Sequence, residues 1–443
     1  MIPTLDSIRS CLDGAAPALI ATCAIDGTPN VANLSQVQFV DNRHVALSFQ
    51  FFNKTRENIL ANPYAMVQVV DPVTGTCYSM RVRYLRTESS GPLFETMRAK
   101  LAGIASHTGM SKIFRLRGSD VYQVLDLSMV PGSAPPEENT PSDKLAALRQ
   151  CTRQLAACMD FESAMDTLLD CLQSHFGIQH SMLLMMDEQG QKLYTVASRG
   201  YDASGVGSEI RMGDGIIGVA AGEGTAIRIS HMAEDYLYSQ AVRQQAGEDD
   251  IETCIPFPGL AESNSQLAVP LVVADKVNGV LYVESPESRS FCYEHEDALG
   301  ALVDQLAVMI NIAGHEQEAI RESNASKAEK RVTTSDKAMT VRYFPADHSV
   351  FIDDDYLIKG VAGAIFWKLM RSYVDENRIE FTNRELRIDS SLGLPEISDN
   401  LEARLILLQR RLAERFSRLA IEKSGRGRFC LRVGGPVTLK LQT

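Results

Sequence analysis

The chain has 443 residues, more than the ~250–300 that one hydrophobic core supports, so two to four domains are expected. Its hydrophobic (45%) and charged (23%) fractions exclude disordered and fibrous classes. The net charge of −12 is uneven: residues 1–315 hold 22 basic and 37 acidic side chains, whereas residues 400–443 hold 10 basic and 3 acidic ones. An acidic body with a basic end is expected where only the last segment meets a polyanion.

No stretch supplies the ~18 uncharged apolar residues of a membrane helix; the longest, 298–313, is interrupted by Asp304, Gln305 and Asn311. The start, Met1 to Ser7, lacks the basic and apolar regions of a secretory signal. A cytoplasmic protein with no membrane partner is expected. Nine cysteines occur with no C-x-x-C spacing, which favours reduced, mostly buried thiols over a disulfide framework or zinc knuckle. Cys151, Cys158 and Cys171 read as core residues, with a metal or cluster as the alternative.

Residues 131–143 carry four prolines, and residues 315–337 are charged with almost nothing to bury; both read as linkers. They divide the chain into 1–130, 144–314 and 338–443, each of ordinary domain size.

In the first segment, apolar runs predict strands at 18–25, 29–40, 44–49, 65–70, 77–85 and 120–127, with Asp26-Gly27 as a hairpin turn. Helices are predicted at 53–63, stopped by Pro63, and at 93–103. Six strands suggest a small closed barrel. The runs Asn53-Lys-Thr-Arg-Glu-Asn-Ile with Asn62-Pro63, Gly27-Thr-Pro-Asn-Val with Asn33-Leu-Ser35, and Ala46-Leu-Ser-Phe-Gln50 resemble the split-barrel flavin-binding family of pyridoxamine phosphate oxidases and flavin reductases. That resemblance implies flavin mononucleotide (FMN) across a homodimer interface, with its phosphate near the lysine-bearing helix. Asn53, Lys54 and Thr55 then face the phosphate, a charge and helix-start donors suiting an anion. Ser35, Gln36, Ser48 and Gln50 line the ring. An empty barrel, or a heme or deazaflavin in place of FMN, is the alternative. No acid–base pair suggests catalysis, and His107 reads as a solvated loop residue.

The second segment opens with predicted helices at 145–159 and 161–176, then strands at 180–186 and 192–198. Gly213-Asp-Gly-Ile-Ile-Gly218, Ala268-Val-Pro-Leu271 and Gly279-Val-Leu-Tyr-Val-Glu284, with Asn278-Gly279 as turn, resemble the GAF domain, an α/β sandwich that binds small effectors. The ligand is not legible. Residues 239–265 form a long connection, with the acidic run Glu248 to Glu252 as a possible lid. The stripe Leu299, Leu302, Leu306 on the closing helix suits either its own domain or a dimer seam.

In the last segment short strands at 341–344, 350–352 and 356–358 precede predicted helices at 363–374, 381–386 and 397–416, then a hairpin around Gly425-Arg-Gly427. Leu401, Leu405, Leu408 and Leu412 form a core stripe with Arg404, Arg410, Arg411 and Arg415 beside it. This order resembles the winged helix-turn-helix effector domains of response regulators, without their phosphorylated receiver domain. The resemblance implies double-stranded DNA as partner, read by those arginines in the major groove, with Arg426 and Arg428 in the wing. The fold class expected is thus multidomain α+β: split β-barrel, GAF sandwich, winged helix. The expected function is a ligand- or redox-responsive transcriptional regulator. The alternatives are a flavin oxidoreductase with a regulatory GAF domain and an interaction scaffold that binds no DNA.

Overall fold

The computed structural model describes residues 3–12, 18–50, 54–71, 74–107, 116–132, 144–187, 190–229, 255–273, 275–319, 338–389, 392, 401–425 and 427–442. Among them no helix is long and apolar enough to cross a membrane.

Seven strands, β1 (Ala18–Cys23), β2 (Pro29–Leu34), β3 (Val37–Asp41), β4 (His44–Phe49), β5 (Tyr64–Val70), β6 (Cys77–Glu88) and β7 (Gly118–Met129), make one antiparallel sheet. Their order is β2-β1-β5-β6-β7-β4-β3. The two edge strands are consecutive in sequence, joined only by Ser35 and Gln36. Such a link reaches about 11 Å, so the sheet must curl until its edges nearly meet. No ladder joins β2 to β3 among the described residues, and the result is a barrel split along one seam. The run 29–40, expected as one strand, supplies both edges, which raises the strand count from six to seven. Gly27, at φ +87°, makes the β1–β2 turn, where Asp26 accepts the Thr28 N–H. Helix α1 (Lys54–Ala61) packs on β1 and β2, whereas α2 (Pro92–His107) leaves the barrel for the next domain. His107, expected in a loop, is the last residue of α2.

The central domain holds α3 (Lys144–Leu155), α4 (Phe161–Phe176), β8 (His180–Met186), β9 (Lys192–Arg199), β10 (Glu209–Arg211), α5 (Gly215–Glu223), β11 (Ile227–Ile229), β12 (Ser265–Val273), β13 (Lys276–Ser285) and α6 (Tyr293–Ala319). The strands form an antiparallel sheet in the order β10-β9-β8-β13-β12-β11. Asn278 and Gly279, expected at the turn, lie inside β13, and the turn falls at Asp275, φ +63°. Gly279 is needed for close approach: a Cβ there would stand 2.4 Å from the Leu184 carbonyl oxygen of β8. Leu299, Leu302 and Leu306 of α6 are fully buried within the chain, in one cluster with α3, α4 and β12. The seam is therefore satisfied internally and is not available to a second copy.

The opposite sheet face is covered by α5 and by α2 of the barrel. Ala99 and Ala102 join Ile216, Ile217, Ala220 and Ile227 in one cluster. Charges ring this contact: Arg98 to Glu223, Arg9 to Asp297 (3.6 Å), and Lys100 and Arg228 both to Glu296, each at 3.2 Å. Burial would raise the Glu296 pKa, but the two cations outweigh it and hold the carboxyl below its ordinary value.

The last domain contains β14 (Met339–Phe344), β15 (Ser349–Ile352), β16 (Asp355–Ile358), α7 (Gly360–Glu376), β17 (Glu380–Thr382), α8 (Asn383–Ile388), α9 (Leu401–Arg415), β18 (Leu419–Gly425), β19 (Arg428–Val433) and β20 (Val437–Leu441). They form sheets β16-β15-β14-β20, with β20 parallel to β14, and β17-β19-β18. Thr382 caps α8 through the Glu385 N–H, and Trp367 stacks on Tyr343 at 4.8 Å. The core does not stop between domains: one cluster runs from Cys151 in α3 to Leu431 in β19.

The α2–β11 contact leaves no room at Gly103, where a Cβ would lie 2.4 Å from Ile227 Cγ2. Gly103→Leu should cost about 1–3 kcal/mol by overpacking. Thermal denaturation is expected to show a lowered midpoint with the secondary structure content unchanged.

Candidate functional site

The seam of the barrel opens into a cavity of about 140 Å³. Its walls come from β2 (Asn33, Leu34), Ser35, β4 (Ser48, Phe49), Gln50, α1 (Thr55, Arg56) and β7 (Asp120, Tyr122). Where β2 passes into β3, the Ser48 N–H of β4 donates to the Gln36 carbonyl at 3.1 Å. Four buried polar atoms near it lack any hydrogen-bond partner: Ser48 Oγ, Gln50 Oε1, Gln36 Oε1 and Ser119 Oγ. Each such atom costs about 1–3 kcal/mol when left dry. Ser48 and Gln50 line the cavity itself, so a polar ligand there would satisfy them.

The floor is an ion pair. Arg56 donates to both Asp120 oxygens at 2.6 and 2.7 Å and to Thr87 Oγ1 at 2.8 Å. Its guanidinium lies 4.5 Å from the Phe49 ring centroid. Desolvation would lower the Arg56 pKa, but Asp120 outweighs it and the value is raised. Burial pushes the Tyr122 phenol well above its usual range, keeping it neutral. The Arg56 charge is therefore neutralised within the wall, and an anionic ligand group would look elsewhere for a cation. Lys54 stands exposed at the start of α1, outside the lining, while Thr55 lies in it and accepts from Asn30 Nδ2 at 2.9 Å.

Of the residues expected to hold the cofactor, Ser35, Ser48, Gln50 and Thr55 meet at the cavity. Gln36 is buried, Lys54 is exposed outside the lining, and Asn53 lies outside the described residues. Arg56, Thr87 and Asp120 were not legible as a unit, because Asp120 is 64 residues from Arg56.

A second polar cluster lies in the central sheet. Glu284, 2% exposed, accepts from Tyr282 Oη at 3.1 Å and from the Leu260 N–H at 3.0 Å. His180 is its register partner on β8, and the His180 ring is 5.4 Å from that of Tyr201. His180 Nδ1, Tyr201 Oη and Ser263 Oγ are buried without partners. Burial raises both tyrosine pKa values, so neither phenol ionises near neutrality. One sequence signal existed, an acid closing the apolar run of β13. The acidic run Glu248 to Glu252 is outside the described residues.

Three of the four α9 arginines turn inward. Arg404 is 6% and Arg411 4% exposed. Arg404 faces the Tyr194 ring at 5.7 Å, and Arg411 donates to the Leu357 carbonyl and to Glu414, each at 3.3 Å. Arg410 reaches the central domain, donating to the Val196 carbonyl at 2.9 Å and to both Asp166 oxygens at 3.0 and 3.1 Å. Arg415 and Arg428 are exposed, and Arg426 lies outside the described residues. Among the described residues no three His, Cys, Asp or Glu side chains converge on a metal site. Cys151 and Cys171 are buried and Cys158 half-buried between α3 and α4.

Residues 158–311 match the family model of the GAF domain, and this segment is a GAF domain. No curated protein sequence matches the chain. Among solved structures, the chain is similar to the GAF domain of an Acinetobacter phosphoenolpyruvate-protein phosphotransferase, at 21% identity and TM-score 0.32 over 41% of this chain and 99% of that one. It is also similar to a free methionine-R-sulfoxide reductase from Neisseria meningitidis, at 18% identity and TM-score 0.31 over 40% and 92%. An FMN-binding protein from Syntrophomonas wolfei matches at 15% identity and TM-score 0.25 over 28% and 85%.

Between α3, α4 and α6 lies a further cavity of about 350 Å³, lined by Lys144, Gln150, Ser174, His175 and His295. His295 Nδ1 accepts the Cys292 N–H at the start of α6. Desolvation, aided by Lys144, lowers its pKa to about 4. Between pH 6.5 and 4 the unfolded chain therefore binds a proton that the folded chain refuses. Stability should fall as pH drops through that window, by at most about 3 kcal/mol. His295→Asn keeps an acceptor and does not titrate, so its melting temperature should fall less between pH 6.5 and 4 than that of the wild type.

Proposed function

We propose that the chain is a ligand-responsive regulator, in which the barrel and the GAF domain set the state of a C-terminal domain that we read as a winged helix binding double-stranded DNA. The observation that carries this reading is the unbroken core from α3 through α9 to β19. A change in the GAF sheet cannot occur without being felt by α9, because Tyr194 and Val196 of β9 touch Arg404 and Arg410 directly. Gel-shift selection from random duplexes tests the output. Selection of one sequence by the full chain supports a regulator, and no duplex binding even at low salt removes it. The burial of Arg404 and Arg411 favours a second reading, an interaction scaffold whose α9 is permanently an interdomain element.

For the barrel ligand we propose FMN, with Ser48 and Gln50 on the ring and Lys54 with Thr55 at the phosphate. A cavity of about 140 Å³ falls short of the ~300–1,000 Å³ of complete small-molecule sites, so a second wall is required. Next to it the outer face of β2, β1 and β5 aligns Val31, Ala21 and Met66 in register, with Leu19 and Tyr64 also exposed. An apolar sheet face of this kind suits a second copy of the chain, and we propose a homodimer. Met66→Lys should shift the mass by light scattering to that of a monomer. Ser48→Leu fills the cavity and should abolish quenching of FMN fluorescence. Lys54→Glu should weaken FMN by roughly tenfold or more through phosphate repulsion. Full FMN affinity in both variants would remove the site. A small polar effector at Glu284, Tyr201 and His180 is the corresponding proposal for the GAF domain.

A further inference from the structure

The ties between the last domain and the GAF domain involve the cations that a DNA-binding reading needs. Arg410 forks onto Asp166, Arg404 lies against Tyr194, and Ser204 donates to Glu414 Oε1 at 2.5 Å. On β18, Lys423 pairs with Glu162 at 2.8 Å and Asp160 at 3.6 Å at the start of α4. The helix and the hairpin thus meet one acidic face, formed by Asp160, which caps α4, with Glu162 and Asp166 of that helix. That face presents carboxylates to the basic side chains much as a phosphate backbone would.

The Arg410 contact is also arranged to part without leaving its carboxylate stranded. Asp166 is shared with Arg199, whose Nη2 donates to it at 2.9 Å while its Nε holds Asp170 at 2.8 Å. When Arg410 leaves, Asp166 stays paired. Arg411 keeps Leu357 and Glu414, both from its own domain. This redundancy lets the pair part with Asp166 still neutralised by Arg199.

We propose that the acidic face of α4 is an autoinhibitory latch, which holds α9 and the β18–β19 hairpin away from DNA until β9 shifts. This rests on reading the last domain as DNA-binding. Because β9 carries Leu193 in the cluster shared with α5 and Tyr194 in the cluster shared with α9, it is the strand through which an effector would reach the latch.

The test uses the full chain. Asp166→Lys repels Arg410 from the exposed side of α4, and Glu162→Lys repels Lys423 by an independent route. Asp304→Lys, on the exposed side of α6, makes the same charge change as Asp166→Lys without touching the latch. Affinity for a mixed-sequence DNA duplex at fixed salt and the radius of gyration from solution scattering are measured on all four proteins. The expected result is a rise in affinity of roughly tenfold together with expansion in both latch variants, and neither change in Asp304→Lys. If the wild type binds duplex and neither latch variant gains affinity over Asp304→Lys, the latch is overturned and the DNA-binding reading stands. If the latch variants expand yet none of the proteins binds duplex, the DNA-binding reading fails and the latch fails with it.

Discussion

The organisation of this chain follows from the need to cover both faces of the central sheet. Strands β8, β12 and β13 are buried almost end to end, so water is excluded from either side. Such a sheet is unstable until two layers of apolar surface lie on it. Three helices of the same domain supply one layer. The other is supplied partly by the short α5 and partly by α2, which belongs to the barrel by connectivity but to the GAF domain by packing. A domain that borrows a helix to complete its fold is sensitive to whatever moves that helix.

The same logic extends to the charge distribution. The acidic excess of the first 315 residues and the basic excess of the last 44 meet within the molecule, at α4 and α9. Carboxylates on one helix face present oxygen acceptors to the Arg410 fork and to Lys423. The Arg410 fork is half-buried and additionally reaches a main-chain carbonyl, which fixes its orientation more firmly than a surface pair would.

Much of this organisation is legible in the sequence. Helix α4 matches its expected bounds of 161–176, and the structure shows what fixes them: Asp160 caps it and Gly177 ends it in a left-handed conformation. The β1–β2 hairpin followed from Asp26-Gly27, and the core stripe of α9 followed from its leucine spacing. What failed did so for physical reasons. Asn278-Gly279 has turn chemistry, yet the glycine serves close strand approach and Asp275 takes the turn. Ser35-Gln36 carries no breaker signal, so the division of one apolar run into two barrel edges was invisible. The leucines of α6 fit a dimer seam and a domain core equally well, and only the neighbours decide. The site residues split similarly: Ser48, Gln50 and Thr55 are near a recognisable run, whereas Asp120 and Glu284 gain meaning only from partners distant in sequence.

The parallel pairing of β20 with β14 has a consequence for how the last domain can move. Its first and last strands lie side by side, with Met339 opposite Val437 and Tyr343 opposite Leu441, so the polypeptide enters and leaves through the same sheet. Mechanically the domain is a loop tied at its base. A pull on β14 is borne by its ladders to both β15 and β20 rather than by one peeling strand. Strand β20 is then a fastening, and losing it would leave β14 as an open edge.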